Sequence, residues 1–311
     1  MLAGHAPEID AYLASHLGAA ARSELLTIVS RNQLDDEIAR GLLVAPFPRA
    51  YCRPWDADER AVLERAAVAS VGQPVALSHL SGLRRYALLE DWDPLIDVTV
   101  PNDRHPIGRT PGLRVHRTRV PTRVRMIDGL PVVEPATAIV RSWPLLAGAE
   151  QRAPAILAVR RRLVTSERLL AAGAAAHGMK GRAAMLRLAS LLAAGCESEL
   201  ELWGHLHVFD VPGLRHARRQ LGLDVRGQRY RLDLAYEQER VAVELDGYRY
   251  HSTRAQRERD MQRDAALASV DWITLRYSHE RLHEDVAGCR RDTLATLAAR
   301  RAGSGAWRRS G

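Results

Sequence analysis

Two stretches in the C-terminal third of the chain alternate apolar and polar residues with the period of two that is typical of β-strands. They are YRLDLAY, residues 230–236, and VAVELD, residues 241–246. The polar residues 237–240 between them form a connection of ordinary hairpin length. Closing the hairpin with Tyr236 opposite Val241 predicts one apolar face, which contains Leu232, Leu234, Tyr236, Val241, Val243 and Leu245.

The other face of this hairpin carries acidic residues. In the same register Asp233 faces Glu244, and Arg231 faces Asp246. A slip of one residue would break both faces, so the pattern specifies this register or one two residues away. Opposed Cβ atoms lie about 4.5–5.5 Å apart, where two carboxylates repel unless a divalent cation lies between them. The pattern fits either a metal site or a solvated face on which like charges meet.

Helical periodicity, caps and turns predict the elements that precede the hairpin. Short helices are expected at Ile9–Leu17, at Arg22–Val29 and, capped by Ser30, up to Gly41, followed by a small hairpin in LLVAPFPRAYCRP, residues 42–54. The middle region should contain a helix at Arg60–Val71 and strands at Leu95–Val100, Leu113–Arg119 and Arg123–Val133, the last broken by an Asp128-Gly129 turn. Pro135 opens another helix, and Ala/Leu-rich helices follow to Ala194.

The hairpin lies between further predicted elements. The sequence SELE is a capping box, with Ser198 as the N-cap and Glu201 at the third helical position, and its helix should run to about Phe209. A first strand is expected in or near LRHARRQL, residues 214–221. A long polar helix in residues 253–269, a strand at Trp272–Ser278 and a last helix follow the hairpin.

The composition predicts a folded protein without a membrane span. Of the 311 residues 46% are hydrophobic but only 5% are aromatic, so the core must consist mainly of Ala, Leu and Val. No apolar run approaches eighteen residues, and the N-terminus lacks the pattern of a signal peptide. The three cysteines, Cys52, Cys196 and Cys289, are far apart and form no C-x-x-C motif. We therefore expect a reduced, cytoplasmic protein.

The formal net charge of +8 favours acidic partners, and nucleic acid first. Of the 45 basic residues all but Lys180 are arginine. Together with the many alanines, this bias is also typical of a GC-rich bacterial genome, so charge alone permits DNA binding without requiring it.

The three short helices and the hairpin at the N-terminus predict a winged helix. The stretch IARGLLVAPFPRAYC resembles the N-terminal winged-helix domain of bacterial AbiEi-type antitoxin-like proteins, and DGLPVVEPATAIVRSW resembles their central part. This resemblance implies that Arg31, Asn32 and Gln33 begin a recognition helix that reads base edges. The acidic stretch 35–37 on that helix would repel phosphate, so a winged helix used only for packing is the alternative.

The C-terminal region carries a richer set of motifs. Its element order, together with RLDLAY, VAVELDGYRYH, RDAAL and WITLRYS, resembles a restriction-endonuclease-type fold over about residues 196–299. It is most similar to a family of uncharacterised bacterial domains related to the very-short-patch repair endonucleases. The positions that match the family pattern are Ser198, Glu201, Asp233, Val243, Glu244, Asp246, Gly247, His251, Arg263 and Asp264.

This resemblance implies a Mg²⁺- or Mn²⁺-dependent endonuclease that acts on DNA. Asp233, Glu244 and the backbone carbonyl of Leu245 would bind the metal, and His251 would act as a general acid or base. Asp246 stands where this superfamily usually has lysine; it would hold a metal-bound water, orient His251 or pair with Arg231. Glu201 would bind a metal-bound water or serve only as a cap. The arginines expected to contact phosphates are Arg254, Arg257 and Arg263, for which a solvated helix face is the alternative.

The predicted fold class is α/β of the α+β type, with four segments. They are a winged-helix domain (1–58), a mixed α/β middle region (59–195), an endonuclease-like three-layer α/β/α domain with a mixed central sheet (196–302) and a disordered basic tail (303–311).

Three other interpretations compete with this one. HERLH, residues 279–283, has the spacing of a zinc metalloprotease helix, but it lies in a first helical turn with no third ligand downstream. GAAAHGMKG, residues 173–181, is a near match to a phosphate-binding loop that lacks the Ser or Thr after the lysine, and we expect a helix connection there. A non-catalytic winged-helix DNA-binding regulator with a degenerate nuclease domain is the main alternative to an enzyme, because the motif lysine is missing.

Overall fold

The protein is described by a computed structural model that covers residues 6–90, 94–104, 110–196, 198–246 and 254–307. The chain divides into two compact units, a first unit of residues 1–186 and a second unit of residues 187–311. Each unit contains helices and mixed or antiparallel sheets, which confirms the α+β fold class.

The first unit begins with three helices and a small antiparallel sheet. In chain order these are α1 (Pro7–Ser15), β1 (Ala19–Ala21), α2 (Arg22–Leu25), α3 (Arg31–Ala39), β2 (Val44–Phe47) and β3 (Ala50–Cys52). Ser30 caps α3 as predicted, since its hydroxyl accepts a hydrogen bond of 3.3 Å from the Gln33 amide. The strand order is β1-β3-β2. Strand β1 was not predicted, because three alanines carry no alternation.

A five-stranded mixed sheet follows in the same unit. Its elements are α4 (Arg60–Val71), β4 (Ala76–Leu77), α5 (His79–Arg85), β5 (Ile96–Pro101), β6 (Leu113–Thr118), β7 (Val124–Ile127), β8 (Leu130–Val133) and α6 (Pro135–Ser142). The strand order is β6-β5-β4-β8-β7, in which β5 with β6 and β4 with β8 are the parallel pairs. The predicted turn at Asp128-Gly129 joins β7 to β8.

The N-terminal strands and this sheet share one core. Phe47 and Cys52 pack in the same buried cluster as Val62 of α4 and Val98 and Val132 of the sheet. A continuous apolar core therefore crosses the predicted boundary between residues 1–58 and 59–195. A separation into two domains at this boundary stays a prediction.

Further helices are α7 (Gly148–Arg160), α8 (Ser166–Ala175) and α9 (Arg182–Ala193). The segment 173–181, which resembles a phosphate-binding loop in sequence, is the end of α8 followed by turns. Lys180 lies exposed in this connection. The expected helix connection is confirmed.

The second unit contains a four-stranded sheet with helices on both faces. Its elements are α10 (Glu199–Gly204), which continues as a π-helical turn at His205–Phe209, then β9 (Arg218–Val225), β10 (Gln228–Tyr236), β11 (Val241–Asp246), α11 (Arg254–Ala268), β12 (Ile273–Ser278), α12 (His279–Glu284) and α13 (Val286–Trp307). The strand order is β12-β11-β10-β9. Among the described strands of this sheet only β11 and β12 pair in parallel, and α11 lies between them in sequence.

Two buried clusters cover the two faces of this sheet. Leu234, Val243 and Leu245 pack with residues of α10, α12 and α13 such as Leu200 and Leu297. The opposite cluster contains Ala235 and Ala242 of the hairpin together with Leu267 of α11 and Trp272. This arrangement gives the predicted three layers.

The predicted faces are wrong at two positions, Leu232 and Asp233. The Asp233 side chain lines a small cavity with Glu201 of α10 and Leu245, on the side of the Leu234 cluster. Leu232 packs in the cluster of Ala235 and Ala242, not with Leu234. Between Leu232 and Leu234 the strand β10 passes Gln220 of β9, whose backbone is left-handed with φ of 48°. A left-handed residue interrupts the regular pleat, so strict alternation of faces does not continue through this point.

No helix in the described part of the chain has both the length and the apolar character needed to cross a membrane. The last helix continues to Trp307, into the segment 303–311 that we expect to be a disordered tail. Residues 308–311 lie outside the described part.

Candidate functional site

The hairpin forms in the predicted register. Tyr236 pairs with Val241, Ala235 with Ala242, and Leu234 with Val243. Asp233 and Glu244 follow directly on β10 and β11, but their side chains do not share the predicted face. Asp233 has partners towards α10, whereas Glu244 pairs with Arg263 of α11. Their side chains have different partners, and each carboxylate is held by groups that the sequence pattern does not reveal.

The Asp233 carboxylate is fixed by hydrogen bonds on both oxygens. Its Oδ2 accepts a bond of 3.0 Å from the backbone amide of Leu245, and its Oδ1 accepts one of 3.2 Å from the Gln220 side chain. The first of these bonds joins β10 to β11 through a side chain instead of the backbone. Asp233 is thus oriented before any ligand binds.

Gln220 connects Asp233 to a second carboxylate, that of Glu201 on α10. The Gln220 Nε2 also donates to Glu201 Oε2 over 3.0 Å. Ser198 caps α10 as predicted: the Glu201 amide donates to the Ser198 hydroxyl over 3.1 Å, and that hydroxyl donates to Glu201 Oε1 over 2.8 Å. The cap and the approach to Asp233 are therefore compatible roles of the same residue.

The amide of Gln220 leaves one oxygen without a partner. Two carboxylate acceptors fix its nitrogen, so Oε1 points elsewhere, and this oxygen is buried without a hydrogen bond among the described residues. A buried acceptor of this kind costs about 1–3 kcal/mol if it remains unsatisfied. A small cavity of about 10 Å³, close to the lower limit for one water molecule, lies against Glu201, Asp233 and Leu245.

His205 and Arg219 line the same cavity. The Arg219 Nη2 lies 2.6 and 2.8 Å from the two ring nitrogens of His205. Burial, and then the Arg219 charge, lower the pKa of His205 below its ordinary value. Protonation of His205, one helical turn after Glu201, is therefore disfavoured.

Glu244 lies on β11 and is 5% exposed. It forms an ion pair with Arg263 of α11, and the same arginine nitrogen donates to the backbone carbonyl of Arg231 over 2.6 Å. On the neighbouring strand, Arg276 forms an ion pair of 2.9 Å with Asp264. Arg263 and Asp264 of α11 thus each form an ion pair with a charged side chain of the sheet. For Arg263 this contact comes in addition to the predicted contact with phosphate.

Several predicted site residues lie outside the described part of the chain. This applies to His251 and to the side chains of Asp246, Arg254 and Arg257. Within the described residues, no three side chains of His, Cys, Asp or Glu converge as a set of metal ligands. The described residues do not show Asp233, Glu244 and Leu245 as a metal site, and their role as metal ligands stays a prediction.

The H-E-x-x-H stretch forms the short helix α12, capped by Ser278 as predicted. The rings of His279 and His283 stack at 4.1 Å, and His283 also stacks on Trp203 at 3.9 Å. These histidines take part in aromatic packing at the start of the helix.

On α3 the predicted DNA-reading residues Arg31, Asn32 and Gln33 are exposed. Gln33 also closes the cap, since its Oε1 accepts a bond of 3.0 Å from the Ser30 amide. The acidic residues after them all have basic partners in the first unit, which are Arg22 for Asp35, Arg40 for Asp36 and Arg53 for Glu37. The repulsion of phosphate by this helix is therefore smaller than the bare sequence indicates.

Sequence reasoning missed Gln220, His205 and Arg219. The spacing of Glu201 and His205 by four residues in a helix places them on one face and was a usable indication. Gln220 falls opposite Asp233 once β9 and β10 are paired, but this pairing depends on a left-handed residue that alternation cannot predict.

A comparison with protein families matches residues 213–297 to the family model REase_MTES_1575. The matched segment contains the whole hairpin, α11 and β12. The C-terminal part of the chain therefore contains a restriction-endonuclease-like domain. No curated protein matches the chain.

Proposed function

We propose that the second unit is a metal-dependent endonuclease domain that hydrolyses phosphodiester bonds in DNA. The observation that carries the proposal is the position of Asp233 and Glu244 on adjacent strands within a segment that matches a restriction-endonuclease-like family. Glu244 is buried and Asp233 is held by two hydrogen bonds, and acids fixed in this way cluster at functional sites.

Asp233, Glu244 and the carbonyl of Leu245 are the groups expected to hold a Mg²⁺ or Mn²⁺ ion. All are oxygen donors, which hard divalent cations prefer, and the unpaired Gln220 oxygen adds another donor beside Asp233. When bound, such an ion would neutralise phosphate charge and lower the pKa of a water molecule.

The residues of this chain have separate tasks in the proposed site. The Leu245 amide and Gln220 orient Asp233, and Gln220 keeps Glu201 close to it. Arg263 offsets the charge of buried Glu244 and supplies positive charge next to it. His251 and Asp246 are proposed for proton transfer and for orienting a water, and Arg254 and Arg257 for phosphate contacts.

A non-catalytic DNA-binding role is the second candidate. It is favoured by the Arg263–Glu244 ion pair, because a guanidinium and a cation compete for the same carboxylate. It is also favoured by Asp246 at the position of the usual lysine, since the only lysine, Lys180, lies in the first unit. In this case the exposed start of α3, proposed to belong to a winged helix, would supply much of the binding.

The test is cleavage of supercoiled plasmid DNA, with and without mismatches, in Mg²⁺, in Mn²⁺ and in EDTA. We expect cutting only with a divalent ion. Asp233→Asn should reduce the rate by about 100-fold or more, because a metal ion contributes several kcal/mol to the transition state.

Asp224→Asn is the matched control, since Asp224 is an exposed aspartate on β9 of the same sheet and caps only the following turn. It should cut like the wild type. If neither the wild type nor the variants cut DNA, but all shift it equally in Mg²⁺ and in EDTA, the nuclease proposal fails and the binding role replaces it.

A further inference from the structure

The first unit contains a cavity of about 570 Å³ on its five-stranded sheet. This volume is within the range of small-molecule sites, about 300–1,000 Å³. The cavity wall is mainly apolar and includes Val100, Val120, Val124, Met126, Pro131 and Val133. Three of these side chains remain open to solvent, with Val120 58%, Val124 46% and Met126 67% exposed. A wall of this kind is typical of a surface that a ligand covers.

One end of this cavity is polar. Thr99, Thr118 and Thr122 line it, and the hydroxyls of all three accept hydrogen bonds from Arg141 of α6. The distances are 3.4 Å to Thr99, 3.2 Å to Thr118 and 2.9 Å to Thr122. The guanidinium therefore lies directly behind the threonine wall.

The charge of Arg141 has no acidic partner in the described part of the chain. Among the described residues no carboxylate forms an ion pair with it. The buried Asp97 of β5 pairs with His116 at 2.7 Å and with Arg114 at 3.4 Å. In the same unit the buried Arg53 does pair with an acid, Glu37. A half-buried guanidinium with only hydroxyl partners is costly unless an anion accompanies it.

We propose that this cavity binds a small amphipathic organic anion. Its carboxylate, sulfonate or phosphate group lies at the threonine end, close to the Arg141 charge behind the threonines and beside Arg119, an exposed arginine that lines the cavity. Its apolar body lies against Val124 and Met126. The polar end supplies the positive charge and the hydroxyls, while the apolar wall supplies the contact area. This site is separate from the proposed nuclease site and does not depend on it.

The test compares two fluorescent probes that share an aryl body. 1-Anilinonaphthalene-8-sulfonate carries the anion, and N-phenyl-1-naphthylamine lacks it. We expect Arg141→Met in the full-length protein to raise the Kd of the sulfonate at least tenfold, equivalent to about 1.4 kcal/mol, and to change that of the neutral probe less than twofold. Met126→Glu places an acid on the apolar wall and should weaken both probes.

Arg125→Met is the matched control, because Arg125 is an exposed arginine between Val124 and Met126 on β7 and its side chain points to the opposite face. It should leave both Kd values unchanged. A sulfonate Kd that Arg141→Met alters less than twofold, or that Arg125→Met alters equally, overturns the proposal. A loss confined to Met126→Glu would then indicate an apolar docking face.

A second variant keeps the test decisive if Arg141→Met does not fold. Thr122→Val removes the hydroxyl with the shortest bond to Arg141 and leaves the charge in place. It should raise the Kd of the sulfonate about threefold or more and spare the neutral probe. An unchanged Kd for both probes contradicts the proposal.

Discussion

His79 is a histidine that the first unit keeps neutral. It is 9% exposed, its Nδ1 lies 2.9 Å from the Ser78 hydroxyl, and its ring stacks on His116 at 3.5 Å. Burial, and then the charges of His116, Arg141 and Arg114, lower the pKa of His79 from 6.5 to about 2. The unfolded chain therefore binds a proton here at a pH where the folded chain does not.

This difference makes the stability of the first unit depend on pH. The contribution is fully present above about pH 6.5 and is lost as the pH falls from 6.5 towards 2, at about 1.4 kcal/mol per pH unit. We expect His79→Asn to remove about 1.3 kcal/mol of the loss between pH 7.5 and 5.5. Asparagine suits the site because the backbone of residue 79 is left-handed, with φ of 47°.

Urea denaturation at the two pH values measures the effect. His177→Asn is the control, since His177 is exposed in a turn of the same unit, and it should retain the slope of the wild type. Parallel pH profiles for His79→Asn and the wild type would contradict the assignment.

At the level of single residues the sequence predicted the acids but not their partners. Asp233 and Glu244 stood out because they occupy polar positions of two alternating strands that pair with each other, which is a local property of the chain. Gln220, Arg141 and His79 do not stand out, since their roles come from residues far away in sequence. Arg141, for example, meets threonines 19, 23 and 42 positions away.

At the level of elements, the predicted strands and helices largely formed where periodicity and caps were strong. The helix at Arg60–Val71 and the hairpin register agree with the prediction. Two classes of element were missed. Strands of two or three residues, such as β1 and β4, are too short to show a period, and Leu232 changes face where a left-handed residue disturbs the pleat.

Arg53 ties three elements of the first unit together. It follows β3 and forms ion pairs with Glu37 of α3, at 2.7 Å, and with Asp10 of α1. Both Arg53 and Glu37 are almost fully buried, with side-chain exposures of 3% and 4%. Removing one partner of a buried pair leaves the other charge without compensation.

We therefore expect Arg53→Met to lower the free energy of unfolding of the first unit by about 3–5 kcal/mol. Arg40→Met is the control on α3, where Arg40 pairs with Asp36 at 3.4 Å on the surface, and it should cost about 0–1 kcal/mol. Urea denaturation of both variants measures the two changes in the free energy of unfolding. Equal effects would mean that the Arg53 pair contributes no more than a surface pair.

At the level of the whole molecule, ion pairs neutralise part of the positive charge of the arginines. Arginines such as Arg53, Arg85, Arg263 and Arg300 pair with acids inside their own units. The net charge of +8 is what remains after this pairing. DNA binding by the proposed nuclease should therefore depend on particular arginines more than on the overall charge, in contrast to what composition alone indicates.

The almost complete replacement of lysine by arginine also has a practical consequence for proteolysis. Lys180 is the only lysine, and it lies exposed between α8 and α9, shortly before the boundary of the two units at residues 186 and 187. A lysine-specific protease should therefore nick the folded chain once, giving fragments 1–180 and 181–311 by mass spectrometry. Cleavage at this single lysine would separate most of the first unit, which contains the proposed anion-binding cavity, from the unit that contains the endonuclease-like domain.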